Sequence, residues 1–226
     1  MRAVVFLLFI ATAIGATPNL RLNLYYDDRG LFTKFSDWIP RQLHTYHPRF
    51  VEDFFLLHGL KQYYGEQALQ KNIYFLSLAL EKKFRHPSAA LTKIESPEQY
   101  HKYRLLMHMH LNLRIMRSYL RIGSLYDKRH LYFYNLDFAP ELDKSFEIAE
   151  FHYKKAQPFW EKAKSLALEA SSYKFTLDMG SLESTRFRIK QGDLDFGRIT
   201  RQHLDRLEQK QKMVKDHLAK HHGGKK

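Results

Sequence analysis

The sequence predicts an all-α protein, an elongated bundle of about six or seven helices, several of them long. Three observations lead there. Apolar residues recur at steps of three and four over most of the chain, with short interruptions. Glycine and proline number only 10 and 7 in 226 residues, too few for the turns of an all-β sandwich or barrel. Hydrophobic residues make up 44% and aromatic residues 15% of the chain, enough to fill a core and to exclude a disordered protein.

The first sixteen residues read as an address. Arg2 precedes an apolar run, and small residues follow up to Ala16, ahead of Thr17 and Pro18. One positive residue, a short apolar run and small residues mark a secretory signal peptide, with cleavage after Ala13, Gly15 or Ala16. The run is too short to favour a membrane span, and no later run is longer. The expected mature protein is exported, soluble and periplasmic, without an integral membrane span. It forms a single all-helical domain over residues 17–222, with a disordered tail at 223–226.

The elements follow in order. Residues 19–45 are mixed: an aromatic start at Leu24, Tyr25 and Tyr26, a turn at Asp28-Arg29-Gly30, and a short helix through Trp38 that Pro40 ends. Pro48 suits the first turn of the next helix, whose apolar set (Phe50, Phe54, Phe55, Leu57, Leu60, Tyr64) runs to Gly65. Residues 66–84 are again helical and strongly apolar. Residues 85–95 form a loop containing Pro87. Ser96, Pro97 and Gln99 make a helix start, with Ser96 as cap and Gln99 completing a capping box. That helix runs to about Tyr126. Its apolar residues point in nearly all directions, so it is expected at the centre.

Residues 127–139 form an aromatic linker with Leu131, Tyr132, Phe133, Tyr134 and Phe138. Beyond Pro140, a seam alternates large and small side chains at Phe146, Ala149, Tyr153, Ala156, Trp160, Ala163, Ala167 and Ala170. Such a seam lets a neighbouring helix approach closely. Pro158 lies inside it and predicts a kink. The pattern breaks over 171–180, and 181–190 form a short basic helix. Asp193 is placed to cap the last helix, which runs to about His221 with a narrow stripe of Phe196, Leu204, Leu207, Val214 and Leu218.

The chemistry inventory is thin. The absence of cysteine excludes a disulfide scaffold, a thiol nucleophile and a Cys-ligated zinc. No Gly-rich phosphate loop, Gly-x-Ser-x-Gly elbow or His-Glu-x-x-His occurs. No cofactor, metal site or enzymatic activity is expected. His217 and His221, four apart beside His222, fit a solvated basic tail better than a metal pair. His101, His108 and His110 lie among arginines, which favours packing or hydrogen bonding over a zinc site. The acidic pairs Asp27-Asp28, Glu52-Asp53, Glu141/Asp143 and Asp193/Asp195 read as helix caps and first-turn residues, not as the fixed carboxylate pair of a glycoside hydrolase.

The charge points to a partner. Lys and Arg total 37 against 24 Asp and Glu, a net charge of +13, or about +12 once Arg2 is removed. In an exported protein this surplus suits an acidic envelope or filament surface, and no nucleic-acid partner is expected. The candidate partner-binding residues are Arg114, Arg117, Arg121, Tyr132, Phe133 and Tyr134. The three arginines share one helix face and either recognise external acids or pair with acids of neighbouring helices. The aromatics lie in a linker and either fill the core from outside or mark a protein contact.

Two resemblances bear on function. Ala156-x-x-x-Trp160-x-x-Ala163 is similar to the second helix of a tetratricopeptide unit, though no 34-residue recurrence accompanies it. The stretches Tyr132–Glu150 and Leu177–Phe196, together with the leader, the lack of cysteine and the long helices, resemble the flagellar-coiling sheath proteins of leptospiral periplasmic flagella. That resemblance is one of overall character and carries no residue-level site. It implies a non-enzymatic coat subunit that packs on the flagellar filament and contributes to its curvature and to motility. The first resemblance implies instead a helical-repeat adaptor in an envelope or motor assembly. An envelope-polymer or metal-binding protein is a third reading of the same inventory.

Overall fold

The computed structural model describes residues 48–222. The expected signal peptide, the mixed segment 19–45, its aromatics Tyr25 and Tyr26, the pair Asp27-Asp28 and the tail 223–226 lie outside the described residues. Within them the protein is all-α. Seven α-helices follow in order: α1 (Val51–Phe54), α2 (Glu66–Leu80), α3 (Pro97–Tyr126), α4 (Phe133–Leu136), α5 (Ala139–Ala170), α6 (Gly180–Gln191) and α7 (Phe196–His222). A π-helical stretch, Phe55–Gly59, continues α1, and a 3-10 turn, Pro87–Ala89, precedes α3.

The central pair is α3 and α5, which pack along each other; α2 covers α3, while α7 and α6 cover α5. All eight residues of the alternating seam are buried. Periodicity therefore fixed the inner face of α5 correctly. On the α3 side, Leu106, Met107, Met109, Leu111, Ile115 and Met116 are wholly enclosed, consistent with a helix surrounded by others. The pair approaches tightly at Gly123. A Cβ there would lie 2.6 Å from the Tyr153 ring and 3.2 Å from the Ala149 carbonyl oxygen.

Several ends differ in detail from the sequence reading. Ser96 caps α3 by accepting the Gln99 amide at 3.2 Å, but the Gln99 side chain accepts from Glu95, one residue before the cap. Asp193 does not cap α7. Gly192, at φ 84°, ends α6, and α7 begins only at Phe196, so Asp195 accepts the Arg198 amide at 3.1 Å. The helix expected up to Gly65 ends at Gly59, whose carbonyl accepts from His110 Nε2 at 2.9 Å instead of extending the helical ladder. Leu60 and Tyr64 are consequently exposed. α5 runs on to Ala170 across Pro158, which is exposed; on that side water can take the carbonyl that proline leaves without a donor.

Buried charges tie both ends of α3 to distant segments. Near its start, Lys102 is fully enclosed; its Nζ meets Glu183 of α6 at 2.6 Å and donates to the Phe175 carbonyl. Next to it, Tyr103 donates to Glu52 at 3.0 Å. At its end, Asp127 receives Lys210 at 2.6 Å, Tyr153 Oη at 3.1 Å and the Arg206 guanidinium.

Two outcomes follow from this packing. Gly123→Ala is expected to lower the thermal midpoint and cost about 1–3 kcal/mol through overpacking, although alanine is the better helix former by about 1 kcal/mol; a stabilised variant would show that α3 can withdraw from Tyr153. Asp127→Ala is expected to cost about 3–5 kcal/mol in denaturant titration, because it strands Lys210 in a buried position; a loss under about 1 kcal/mol, the range of a surface pair, would contradict the burial.

Candidate functional site

The arginines at 114, 117 and 121 lie where α3 passes α2 and the start of α7. Their i, i+3, i+7 spacing places them on one face. Among the described residues none of the three makes an ion pair with a carboxylate. Arg117 and Arg121 meet aromatic rings instead. The Arg121 guanidinium carbon lies 4.3 Å from the Tyr64 ring centroid, and that of Arg117 lies 5.1 Å from the Phe196 centroid. Of the two readings of the stripe, pairing with acids of neighbouring helices is therefore not seen among the described residues.

The three arginines line a groove of about 520 Å³. Tyr63, Tyr64 and Phe196 wall it, with Leu69, Leu120 and Leu125 between them. No described lining residue is acidic. At its floor, Asn72 is only 2% exposed. One end of its carboxamide donates to Ser118 Oγ at 3.2 Å, and the other has no partner. Arg114 Nε is likewise buried without a partner. Burial disfavours the charge of Arg114. Arg117 is exposed at the surface but closely covered on its ring side; that burial, with the charges of Arg114 and Arg188, holds its guanidinium below the usual range. The groove therefore concentrates positive charge that its own described walls leave uncompensated.

The aromatic candidates form a second surface. Tyr132, Phe133 and Tyr134 are all more than half exposed, Phe133 to 84%. The Tyr132 and Tyr134 rings stack with centroids 5.6 Å apart. α4 is a single turn, closed by Asn135 Oδ1 accepting from the Tyr132 amide at 3.0 Å, and it buries Asn135 while its aromatics face outward. Phe138, four residues after Tyr134, is also more than half exposed. Tyr132 stands against Tyr134 and His130, whereas Arg117 and Arg121 face Phe196 and Tyr64.

Of the acidic pairs, Glu52 and Asp53 have structural partners, whereas Asp143 Oδ1 is buried without one. Asp53 accepts from the Arg49 and Phe50 amides at 2.9 and 3.0 Å, and Glu52 from Tyr103 and the Arg85 amide. Glu141 lies in the first turn of α5. His101 meets Glu169 at 3.3 Å, and His108 packs on Phe84. Among the described residues no group of three His, Asp or Glu is close enough to hold a metal ion; the side chains of His221 and His222 lie outside them. No helix described is long and apolar enough to cross a membrane. The groove walls were not legible as a site: Tyr64 and Phe196 read as members of apolar stripes, and nothing local in the sequence joins Asn72 to Ser118.

Residues 98–217 match the model of a family described as a Domain of unknown function (DUF8513). The match runs from the first turn of α3 into α7, so it holds the three arginines and the aromatic cluster, while Tyr63, Tyr64 and Asn72 lie before it. No curated protein and no solved structure matches the chain.

The histidines beside the groove give a pH dependence. Burial, reinforced by Lys61, lowers His58 from 6.5 to about 4. Burial, with Arg114 and Arg117, lowers His110 to about 4 against the opposing bond to Gly59. Both are neutral in the fold and charge more readily once unfolded. Stability is therefore expected to fall as pH drops from about 6.5 toward 4, by on the order of 2–3 kcal/mol per histidine at the acid end. Denaturant midpoints across that window test it: His58→Phe is expected to flatten the slope, and an equal slope in wild type and variant would contradict the assignment.

Proposed function

The chain belongs to the DUF8513 family, and we propose that it is a non-enzymatic structural protein, exported to the periplasm, that docks on the flagellar filament sheath and contributes to its curvature. The observation that carries the docking role is the aromatic cluster. Four aromatics, Tyr132, Phe133, Tyr134 and Phe138, stand more than half exposed within seven residues of sequence. Exposed apolar surface of this kind marks interaction sites, and Tyr and Phe anchor them by burying large rigid rings. The cationic groove of α3 complements it by steering an acidic partner. Each contact can be weak, because repetition along a filament supplies avidity. The choice of the filament rests on the resemblance of the stretches Tyr132–Glu150 and Leu177–Phe196 and on the signal-peptide pattern of residues 1–16.

Co-sedimentation tests it. The protein is expected to pellet with gently purified periplasmic flagella and to stay in the supernatant from cells that lack filaments. Joint replacement of Tyr132, Phe133 and Tyr134 by Ser is expected to remove most of the pelleted protein at an unchanged thermal midpoint. Charge reversal at Arg114, Arg117 and Arg121 is expected to weaken pelleting, most at low ionic strength. Recovery that ignores the presence of filaments, or that survives loss of the aromatic cluster, would refute the docking role.

A further inference from the structure

Resting on the docking role just described, we propose that the α3 groove receives an acidic amphipathic helix of the partner protein, with two carboxylates one helical turn apart meeting Arg117 and Arg121. The spacing carries the register. Residues 117 and 121 are four apart on one α-helix, an axial rise of about 6 Å, and carboxylates at i and i+4 of a second helix share it.

The two guanidinium groups are also held in place. Arg121 lies over Tyr64 at 4.3 Å and Arg117 over Phe196 at 5.1 Å, and both are exposed. A ring against one face leaves the in-plane N–H edges open, and those edges bind carboxylates in the bidentate mode. The walls add an apolar requirement. Leu120, Leu125 and Tyr63 flank the arginines, and a hydrated polyanion gains nothing from them, whereas the apolar face of a helix does. The floor is also unfinished: Asn72 Oδ1 and Arg114 Nε lie buried without partners beneath the same groove. With three arginines and no acidic residue in its described lining, the groove is complementary to an acidic occupant.

The test uses the full chain and a fluorescently labelled helical peptide carrying leucines on one face and two glutamates at i and i+4. Anisotropy titration is expected to show saturable binding. A peptide of equal charge with the glutamates two residues apart, on different faces, is expected to bind far more weakly. Arg117→Lys and Arg121→Lys keep the charge but lose the stacked fork, and each is expected to weaken binding roughly tenfold, with thermal midpoints confirming an intact fold. Absence of binding, equal binding of the two peptides, or lysine variants indistinguishable from wild type would overturn the inference. Displacement of the peptide by a sulfated polysaccharide at equal charge concentration would overturn it in favour of a generic polyanion surface. Filament pelleting of the same lysine variants separates the two levels. Normal pelleting with no peptide recognition sinks the groove assignment and leaves the docking role standing, whereas filament-independent pelleting sinks the docking role itself.

Discussion

The close approach of α3 and α5 is the constraint on which the other contacts depend. It exists because α5 offers alanine at alternate seam positions and α3 offers Gly123 where Tyr153 crosses it. Large residues of one helix thus fill the gaps left by small residues of the other. Once this pair is set, the same seam also receives α7, where Phe146, Ala149 and Tyr153 pack with Leu207 and Val214. On the far side α3 still has apolar surface for α2. Each outer helix finds its place on a surface that the inner pair defines.

Dispersion along such a seam is weakly directional, so a helix could slide by a turn at small cost. The buried charges oppose sliding. Lys102 with Glu183 and Asp127 with Lys210 have partners only in one register, and a shift would leave a charge enclosed without its counter-ion. The polar residues at the two ends of α3 therefore fix what its apolar middle leaves loose. Tyr153 belongs to both systems: its ring fills the space over Gly123 and its hydroxyl donates to Asp127.

The two candidate surfaces arise where this architecture runs out of cover. α4 has one turn, too short to bury the aromatics it carries while Asn135 turns inward. The groove forms because the helix after Pro48 ends at Gly59 and the chain then carries Tyr63 and Tyr64 alongside α3. Arg114, Arg117 and Arg121 were legible as a stripe because spacing alone puts them on one face. Tyr132, Phe133 and Tyr134 were legible because they fall outside every periodic run. Their neighbours were hidden: Asn72 sits 46 residues from Ser118, and Phe196 reaches Arg117 from 79 residues away.

The sequence by itself determined the all-α class, the start of α2, the spans of α3, α5 and α6, the cap at Ser96 and the buried face of α5. These follow from local rules, in which propensity, capping and helical period act within a few turns. Tertiary structure decided which apolar residues found cover, which carboxylates met a cation and where two helices truly began or ended. Gly59 closed its helix because a carbonyl was claimed by His110 from 51 residues away, and Asp195 displaced Asp193 as a cap because Gly192 turned the chain first. Burial and hydrogen-bond competition are settled between segments distant in sequence, and no local pattern encodes their outcome.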